Sequence, residues 1–455
     1  MNNSRSSILT FLLSSFTKGH ERSIKAKKNI FFSLIIKGLS IFISLLLVPL
    51  TIHYVNPTQY GIWLTLSSII GWLGFFDIGF GNGLRNKFAE AMAKGEHELA
   101  RTYVSTTYGI LTIIIGTVLV IFLCINPFLE WSRILNTPSE MSHELSILAL
   151  IVFVFFCVQF ILQLITTILT ASQEPAKASF FNFLGSLFSL VIIFILTKTT
   201  KGNLIYLGTV LGLTPVLVLI ASSIWYYNTK YKKYAPSIKY VKFSYAKNLM
   251  TLGIKFFIIQ IAAVVIYQTS NIIIAQLFGP TEVTPYNIAF KYFGIISMGF
   301  GIIMVPLWSA FTEAWIKKDI PWIKNTVKRL IQLWGLVSLV TLIMLVFSNI
   351  VYKAWVKEIT VPLSTSIVMA VYVIINAWCA IFAHFLNGVG KIKLQLYSGS
   401  FGALVNIPLS IFLGRQLGIY GVVLSTTLLS GISAIWSPIQ YAKLIRNKAT
   451  GIWNK

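Results

Sequence analysis

Residues 88–104, FAEAMAKGEHELARTYV, decide the fold, because the chain repeats their pattern as residues 311–327, FTEAWIKKDIPWIKNTV. Seven positions agree identically or conservatively, without a gap and always 223 residues apart. They are Phe88, Glu90, Ala91, Lys94, Glu96, Arg101 and Val104, matched by Phe311, Glu313, Ala314, Lys317, Asp319, Lys324 and Val327. The block is polar, so the monotony of a hydrophobic sequence does not explain the match. We interpret it as an internal duplication.

The duplication extends on both sides of this block, with small insertions. Pro57-Thr58-Gln59 recurs as Pro280-Thr281-Glu282 at the same shift. Matches at shifts of 211 to 220 residues pair Gly79-Phe80-Gly81 with Gly299-Phe300-Gly301, Lys37 with Lys255, Tyr206 with Tyr420 and Trp225 with Trp436. Six hydrophobic segments separate equivalent points, and an even number restores the original direction across a membrane. We therefore predict two parallel halves related by an axis along the membrane normal, an arrangement typical of transporters.

The composition is that of a membrane protein. Of the 455 residues, 56% are hydrophobic and only 11% are charged, and the mean hydropathy is +0.78. Apolar runs of about 20 residues recur, each long enough to cross a hydrocarbon core of about 30 Å as a helix. We predict an all-α polytopic membrane protein with about twelve transmembrane helices in two six-helix repeats. The predicted spans are 29–54, 58–79, 102–126, 144–170, 179–197, 204–228, 249–278, 284–309, 326–350, 363–387, 395–413 and 420–442.

The positions of the basic residues predict the topology. Of the 37 lysines and arginines, 28 lie in or at the margin of segments that share one side of the membrane with the amino terminus, and 6 lie in the opposite segments. This excess indicates that both termini are cytoplasmic. It also accounts for most of the net charge of +24, so nucleic acid is not an expected partner. The predicted organisation is a cytoplasmic tail (1–28), a six-helix lobe (29–228), a cytoplasmic linker (229–248), a second six-helix lobe (249–442) and a final tail (443–455).

Lys37 is the leading candidate for substrate binding. It lies about 12 Å into the first span, counting 1.5 Å per residue. Ser33, Lys37, Ser40 and Ser44 follow helical spacing and form one polar stripe on an apolar helix. A polar stripe is costly against lipid but not against a wet cavity, so we expect Lys37 to line a cavity and meet an anionic substrate. The alternative is that its side chain reaches the cytoplasmic headgroups.

Four further charged residues are candidates with weaker patterns. Lys291 and Asn287 share a helix face and are expected to line the cavity, with the outer headgroups as the alternative for Lys291. For Lys255, cavity and headgroup positions are equally supported. Arg85, in the first inner loop, either contacts a diphosphate or is one more topological charge. Asp77 is an acidic residue inside a predicted span and is either a structural ion pair or a protonatable coupling site.

Three motifs carry a resemblance to a known family. They are Asn56-Pro57-Thr58-Gln59-Tyr60-Gly61-Ile62-Trp63, Phe76-Asp77-Ile78-Gly79-Phe80-Gly81-Asn82-Gly83-Leu84 and Ala89-Glu90-Ala91-Met92-Ala93-Lys94-Gly95. Together with the layout of the whole chain, they resemble the O-antigen and polysaccharide flippase branch of the multidrug/oligosaccharidyl-lipid/polysaccharide exporter superfamily. The resemblance implies a V-shaped, two-lobed bundle in the bacterial inner membrane. It also implies transport of undecaprenyl-diphosphate-linked repeat units to the periplasmic leaflet for lipopolysaccharide assembly. The partners it implies are that lipid-linked sugar, membrane lipids, and the polysaccharide polymerase and chain-length machinery.

Two other functions remain as alternatives. The drug-efflux branch of the superfamily keeps acidic residues in its lobes to bind cations, whereas the equivalent first and seventh spans here carry Lys37 and Lys255. This difference favours an anionic substrate. A membrane glycan polymerase or ligase is disfavoured because the longest outer loop, about 127–143, is short.

Catalytic and cofactor motifs give no support to an enzyme. The sequence has neither a glycine-rich phosphate loop ending in Lys-Ser/Thr nor a paired carboxylate or His/Asp cluster in an outer segment. We therefore expect no catalytic residue, no bound metal and no cofactor. The energy for transport then comes from an ion gradient, the membrane potential or consumption of the product.

Overall fold

The computed structural model describes residues 21–71, 80–172, 174–246, 269–357 and 359–454, and its regular structure in these ranges is helical. The first half contains α1 (Glu21–Val55), α2 (Pro57–Gly71), α3 (Phe80–Lys94), α4 (His97–Ile125), α5 (Trp131–Leu135), α6 (Ser142–Leu162), α7 (Leu164–Ala171), α8 (Pro175–Thr199) and α9 (Leu204–Asn228). The second half contains α10 (Ser270–Phe278), α11 (Val283–Ile316), α12 (Ile320–Val356), α13 (Leu363–Val389), α14 (Lys393–Leu417) and α15 (Ile419–Ile445). Single 3-10 turns occupy several of the connections.

Ten stretches of the described residues are helical, long and apolar enough to cross a membrane, and each coincides with a predicted span. The two other predicted spans, 58–79 and 249–278, extend into residues outside the described ranges, as does the predicted tail before residue 21. The prediction of an all-α, multi-pass membrane fold is therefore confirmed. Large apolar side chains on the outside of the bundle, such as Val346 (76% exposed) and Ile350 (66% exposed), are suited to contact with lipid.

Several helices are longer than their apolar cores. α1 is described from Glu21, eight residues before the predicted span, and the Arg, Ala and Lys residues of this stretch are good helix formers. α12 extends six residues beyond its predicted span at each end. Hydropathy marks only the part of a helix that crosses hydrocarbon, so it does not locate ends that project into water.

The duplication is visible in how the helices end. Asn56 (φ 84°) separates α1 from α2, and Gly279 (φ 93°) stands at the equivalent position after α10. Gly95 (φ 75°) and Lys318 (φ 57°) likewise follow α3 and α11. Both pairs are 223 residues apart, and left-handed backbone is uncommon outside glycine and asparagine. The same turns therefore recur in both halves.

Each half has its own core, and the cores use equivalent residues. Phe88 is fully buried in the first half, where its ring meets the edge of Tyr234 at 5.4 Å. Phe311 is fully buried in the second half and meets Phe385 at 5.6 Å in the same edge-on manner. These aromatic cores hold α3 and α11 against the remaining helices of their own lobes.

The linker after α9 is fastened to the first half. Its backbone nitrogen at Lys242 donates to Thr106 Oγ1 at 3.0 Å, and the Arg101 side chain donates to the carbonyl of Ala235 at 3.0 Å. The Arg101 guanidinium also lies 4.4 Å from the ring centre of Tyr240. Through residue 246, the linker is thus part of the first lobe and not a free tether.

Candidate functional site

The two halves meet at the end of the bundle where Asn56 and Gly279 lie, which the charge distribution predicts to face outside; we call it the outer end. There the hydroxyls of Thr58 and Thr281 form a hydrogen bond of 2.8 Å. These threonines are equivalent by the 223-residue repeat. A residue can touch its own repeat only where the symmetry axis passes between them. The pair therefore marks the pseudo-twofold axis.

Backbone contacts flank this threonine pair on both sides. Thr284 Oγ1 donates to the carbonyl of Pro57 at 2.7 Å. In the equivalent place, a Cβ added at Gly61 would overlap the carbonyl oxygen of Pro280, so only glycine allows the approach. The halves therefore touch backbone to backbone at Gly61 and side chain to backbone at Thr284.

A short polar network continues inward from the axis. Asn287 Nδ2 donates to Asn271 Oδ1 at 2.7 Å, and Asn271 Nδ2 donates to Ser68 Oγ in the other half at 2.6 Å. Nearby, Lys291 Nζ donates to Tyr60 OH, also across the halves, at 3.3 Å. Asn287 and Lys291, both predicted to line the cavity, thus take part in closing the outer end in this conformation.

A further bond between the halves joins α12 to α1. Pro49 has no N–H, so the carbonyl of Leu45, four residues earlier, loses its helical partner. The Trp355 indole donates to that carbonyl at 2.9 Å. Trp355 of the second half thus supplies the hydrogen bond that Pro49 denies to the Leu45 carbonyl in the first half. The sequence alone did not predict this role for Trp355.

The inner half of α1 carries the other predicted residues. The Lys37 side chain is exposed, and Ser40 and Ser44 are half-buried. Ser40 Oγ donates to the carbonyl of Ile36 at 2.8 Å, which leaves the hydroxyl able to accept a hydrogen bond. Lys37 lies 18 residues from the outer end of α1, a depth of about 27 Å, whereas Lys291 lies only about 12 Å from the outer end of α11. The structure therefore places these two lysines at different depths.

Of the remaining predicted residues, Arg85 is exposed on α3. Lys255 and Asp77 lie outside the residues that the structure describes. For Ser33 the structure describes only the backbone, which is part of α1. In the parts of the chain that the structure describes, no three His, Cys, Asp or Glu side chains are grouped to hold a metal ion.

A buried carboxylate at the inner end was missed by sequence reasoning. Glu174, with a side chain 8% exposed, pairs with Lys177 at 3.1 Å and with Lys230 at 2.8 Å. Tyr231 OH also donates to it at 3.3 Å. Burial raises the pKa of Glu174, but hydrogen bonds from Lys230 and Lys177 outweigh burial and hold the pKa below its ordinary value. The cluster clamps the start of the linker to α8.

Comparison with known proteins gives one family and one fold. A model of the family described as polysaccharide biosynthesis protein matches residues 26–311. A Salmonella typhi protein assigned to O-antigen transport is 22% identical over 408 residues, which cover 88% of this chain and 92% of that protein. A Yersinia pseudotuberculosis protein assigned to O-antigen export is 22% identical over 393 residues, covering 84% and 88%.

Two solved structures share the fold over nearly the whole chain. An inward-facing multidrug resistance MATE family transporter of the MOP superfamily superposes with a TM-score of 0.76 at 12% identity, covering 92% of this chain and all of that one. An outward-facing transporter of the same family gives 0.66 at 14% identity, covering 94% and 97%. The two-lobed bundle that the family resemblance implies is therefore confirmed.

Proposed function

The chain belongs to the polysaccharide biosynthesis protein family, within the MOP superfamily of transporters, and on that premise we propose that it flips undecaprenyl-diphosphate-linked oligosaccharide units from the cytoplasmic to the periplasmic leaflet. Its relatives are transport and export proteins, which supports the expectation that the chain is a transporter and not an enzyme. The units serve the assembly of a surface polysaccharide such as O-antigen.

The observation that carries the proposal is the contact at Thr58 and Thr281 on the pseudo-twofold axis. The hydrogen bonds described between the halves gather around it at the outer end. Closure at that end corresponds to a conformation that receives substrate from the inner side. Lys37, exposed on the inner part of α1, is then available to a substrate that enters from the cytoplasmic leaflet.

The proposed transport step uses the predicted residues as follows. Lys37, supported by Arg85 and Lys255, binds the diphosphate as a set of cations, while Ser33, Ser40 and Ser44 offer hydroxyls to the sugar. Neutralising these cations removes their repulsion and lets the inner ends approach. The outer contacts, including Lys291 with Tyr60, then break as the halves rock about the axis. Asp77 either carries a coupling proton or pairs with a nearby cation.

The location and organisation belong to the same proposal. The protein lies in the bacterial inner membrane with both termini cytoplasmic, and its lobes comprise residues 29–228 and 249–442, joined by the linker 229–248. An ion gradient or the membrane potential supplies the energy. The polysaccharide polymerase and chain-length machinery act on the product at the periplasmic face.

A deletion strain tests the proposal. We expect undecaprenyl-linked units to accumulate on the cytoplasmic side and the surface polysaccharide to disappear, and we expect the intact gene to restore both. Normal polysaccharide in a strain without a second flippase would refute the proposal. Intact polysaccharide with new sensitivity to cationic drugs would instead support the efflux alternative.

A further inference from the structure

The two sides of the bundle differ where the halves meet at the outer end. On one side, the connection between α4 and α6 spans residues 126–141 and includes the short helix α5. Asn136 Nδ2 donates to the carbonyl of Ala275 at 2.9 Å, and Gln276 Nε2 donates to the carbonyls of Arg133 and Ile134 at 2.9 and 2.6 Å. This connection fills the crevice between the halves on that side.

On the opposite side, the equivalent crevice is open. The connection between α12 and α13 spans only residues 357–362, too short to form a helix like α5. His53 is the residue equivalent to Gln276 in the repeat. Gln276 bonds to the connection between α4 and α6, whereas His53 lines a cavity of about 810 Å³. The difference in connection length therefore breaks the pseudo-symmetry and leaves one lateral cavity.

Residues of both halves give the cavity an amphipathic lining. Its apolar wall includes Leu46, Pro49, Leu50, Val55, Val356 and Ile359. Its polar rim includes His53, Asn56, Gln59 and Lys357, and the Lys357 side chain is exposed. A volume of 810 Å³ is within the range of small-molecule sites, roughly 300–1,000 Å³. Such a lining suits an amphiphile whose head is anionic.

An exposed apolar stripe leads away from the cavity along α1. Ile35, Leu39, Phe42 and Leu46 follow helical spacing and are 44%, 47%, 59% and 39% exposed. Leu46 belongs both to the stripe and to the cavity wall. A hydrocarbon chain longer than the cavity can therefore continue along the same helix into the membrane.

We propose that this crevice holds the diphosphate end of a polyprenyl lipid at the outer leaflet, with the diphosphate on Lys357 and the polyprenyl chain along α1. The inference rests on the proposed function, which supplies the diphosphate. The crevice acts as an exit site, separate from Lys37, where the flipped lipid remains until it diffuses away. The filled crevice on the opposite side makes release one-sided.

A site-mapped cross-linking experiment tests the exit site. The full-length protein in phosphatidylethanolamine nanodiscs is irradiated with a benzophenone analogue of geranylgeranyl diphosphate, and labelled peptides are identified by mass spectrometry. We expect label on peptides from residues 46–59 and 355–359. Label restricted to peptides around Lys37 would overturn the exit site, while the result of the deletion strain would be unaffected.

Variants of Lys357 make the test specific for charge. Lys357 has φ 52° and ψ −91°, and asparagine is enriched among non-glycine residues at positive φ, so Lys357→Asn removes the charge with little added strain. In Lys357→Asn we expect labelling of the cavity peptides to fall about tenfold, which corresponds to the loss of one charge-assisted contact. In Lys357→Arg we expect the labelling to be retained. Lys353→Ala, one turn earlier and outside the cavity, is the matched control. Equal labelling in Lys357→Asn, or displacement of the probe by phosphatidylglycerol as readily as by unlabelled geranylgeranyl diphosphate, would refute the inference.

Discussion

Thr58 and Thr281 hydrogen-bond to each other at 2.8 Å, although each occupies the same position in its own half of the chain. The bond places the pseudo-twofold axis at the outer end of the bundle. Its neighbours, Gly61 with Pro280 and Thr284 with Pro57, keep the backbones of the halves in direct contact. Each of these contacts has to separate when the outer end opens, and they lead to the first two predictions.

A disulfide between the paired threonines should lock the transporter. The hydroxyl oxygens lie within reach of one another, so Thr58→Cys with Thr281→Cys, in a background without Cys124, Cys157 and Cys379, should oxidise spontaneously. We expect loss of complementation that a reductant restores, scored by surface polysaccharide and by gel mobility after cleavage in the linker. Full transport by the oxidised protein would mean that the halves do not separate here.

Gly61→Ala should weaken the outer contact. The added methyl overlaps the carbonyl oxygen of Pro280, so the halves have to move apart or the helix has to shift. We expect a lower melting temperature in detergent and faster alkylation of a cysteine placed at Thr58. Gly116→Ala is the control, because a Cβ there meets nothing within 4 Å and a helix favours alanine over glycine. Identical melting and alkylation in the two variants would contradict the close approach.

Trp355→Phe should cost stability only while proline occupies position 49. Without the indole N–H, the Leu45 carbonyl has no donor, a loss of about 1–3 kcal/mol for a buried polar group. In a Pro49→Ala background, the N–H of residue 49 satisfies that carbonyl, so the same substitution should cost much less. Thermal unfolding of the four proteins of this double-mutant cycle measures the coupling. Additive effects would show that Trp355 acts by packing alone.

Lys37→Ala should abolish complementation without lowering the amount of protein in the membrane. Its side chain is exposed on the inner part of α1, one turn before Ser40, where we propose that the diphosphate binds. Lys37→Arg should retain function, because arginine carries the same positive charge as lysine. The readout is surface polysaccharide in the deletion strain, with Lys353→Ala as an exposed lysine outside the pathway. Full complementation by Lys37→Ala would remove this lysine from the substrate site.

Glu174→Gln should destabilise the protein at neutral pH but not in acid. The pKa of Glu174 is lowered in the folded protein, so its ionised form stabilises the fold above its ordinary pKa of 4.5, and this contribution disappears as the pH falls through the lowered value. We expect a cost of about 1–3 kcal/mol at pH 7 from the loss of two charge-assisted contacts. The difference in melting temperature between variant and parent should be largest at pH 7 and should shrink as the pH falls below 4.5 and through the lowered pKa.

Glu90→Gln provides the comparison for Glu174. Glu90 is exposed and pairs with Lys94 and Lys87, and hydrogen bonds from these lysines lower its pKa to about 2. Solvent screens an exposed pair, so we expect only a small change in melting temperature. A change as large as that of Glu174→Gln would show that burial does not set the strength of the inner clamp.

The sequence predicted the architecture because repetition and hydropathy are properties of the chain itself. The matched blocks at Phe88 and Phe311 established two parallel halves, and the structure buries both rings in equivalent cores. The contact between Thr58 and Thr281 was not predicted, since a repeat shows which residues are equivalent but not where the axis passes. Lys291 was expected in the cavity, and its bond to Tyr60 depends on how the halves are closed, which no local pattern records.

The clamp at Glu174 and the open crevice at His53 were missed for different reasons. Lys177 and Lys230 were counted only as topological charges. The chain has just 13 acidic residues, so the presence of one of them, Glu174, in the short connection between α7 and α8 could have indicated an ion pair there. The crevice follows from the unequal lengths of two equivalent connections, residues 126–141 in the first half and 357–362 in the second. An alignment of the two repeats could have revealed this difference. Its volume and lining depend on packing and required the structure.

The position of Thr281 just before α11 has a mechanical consequence. α11 has 34 residues, so while the outer end is closed this contact lies at one end of a long lever. At 1.5 Å per residue the arm is about 51 Å long, and a rotation of about 10° displaces its far end by about 9 Å, close to the diameter of a helix. A small adjustment at one pair of hydroxyls is thereby amplified into an opening wide enough to admit a sugar chain.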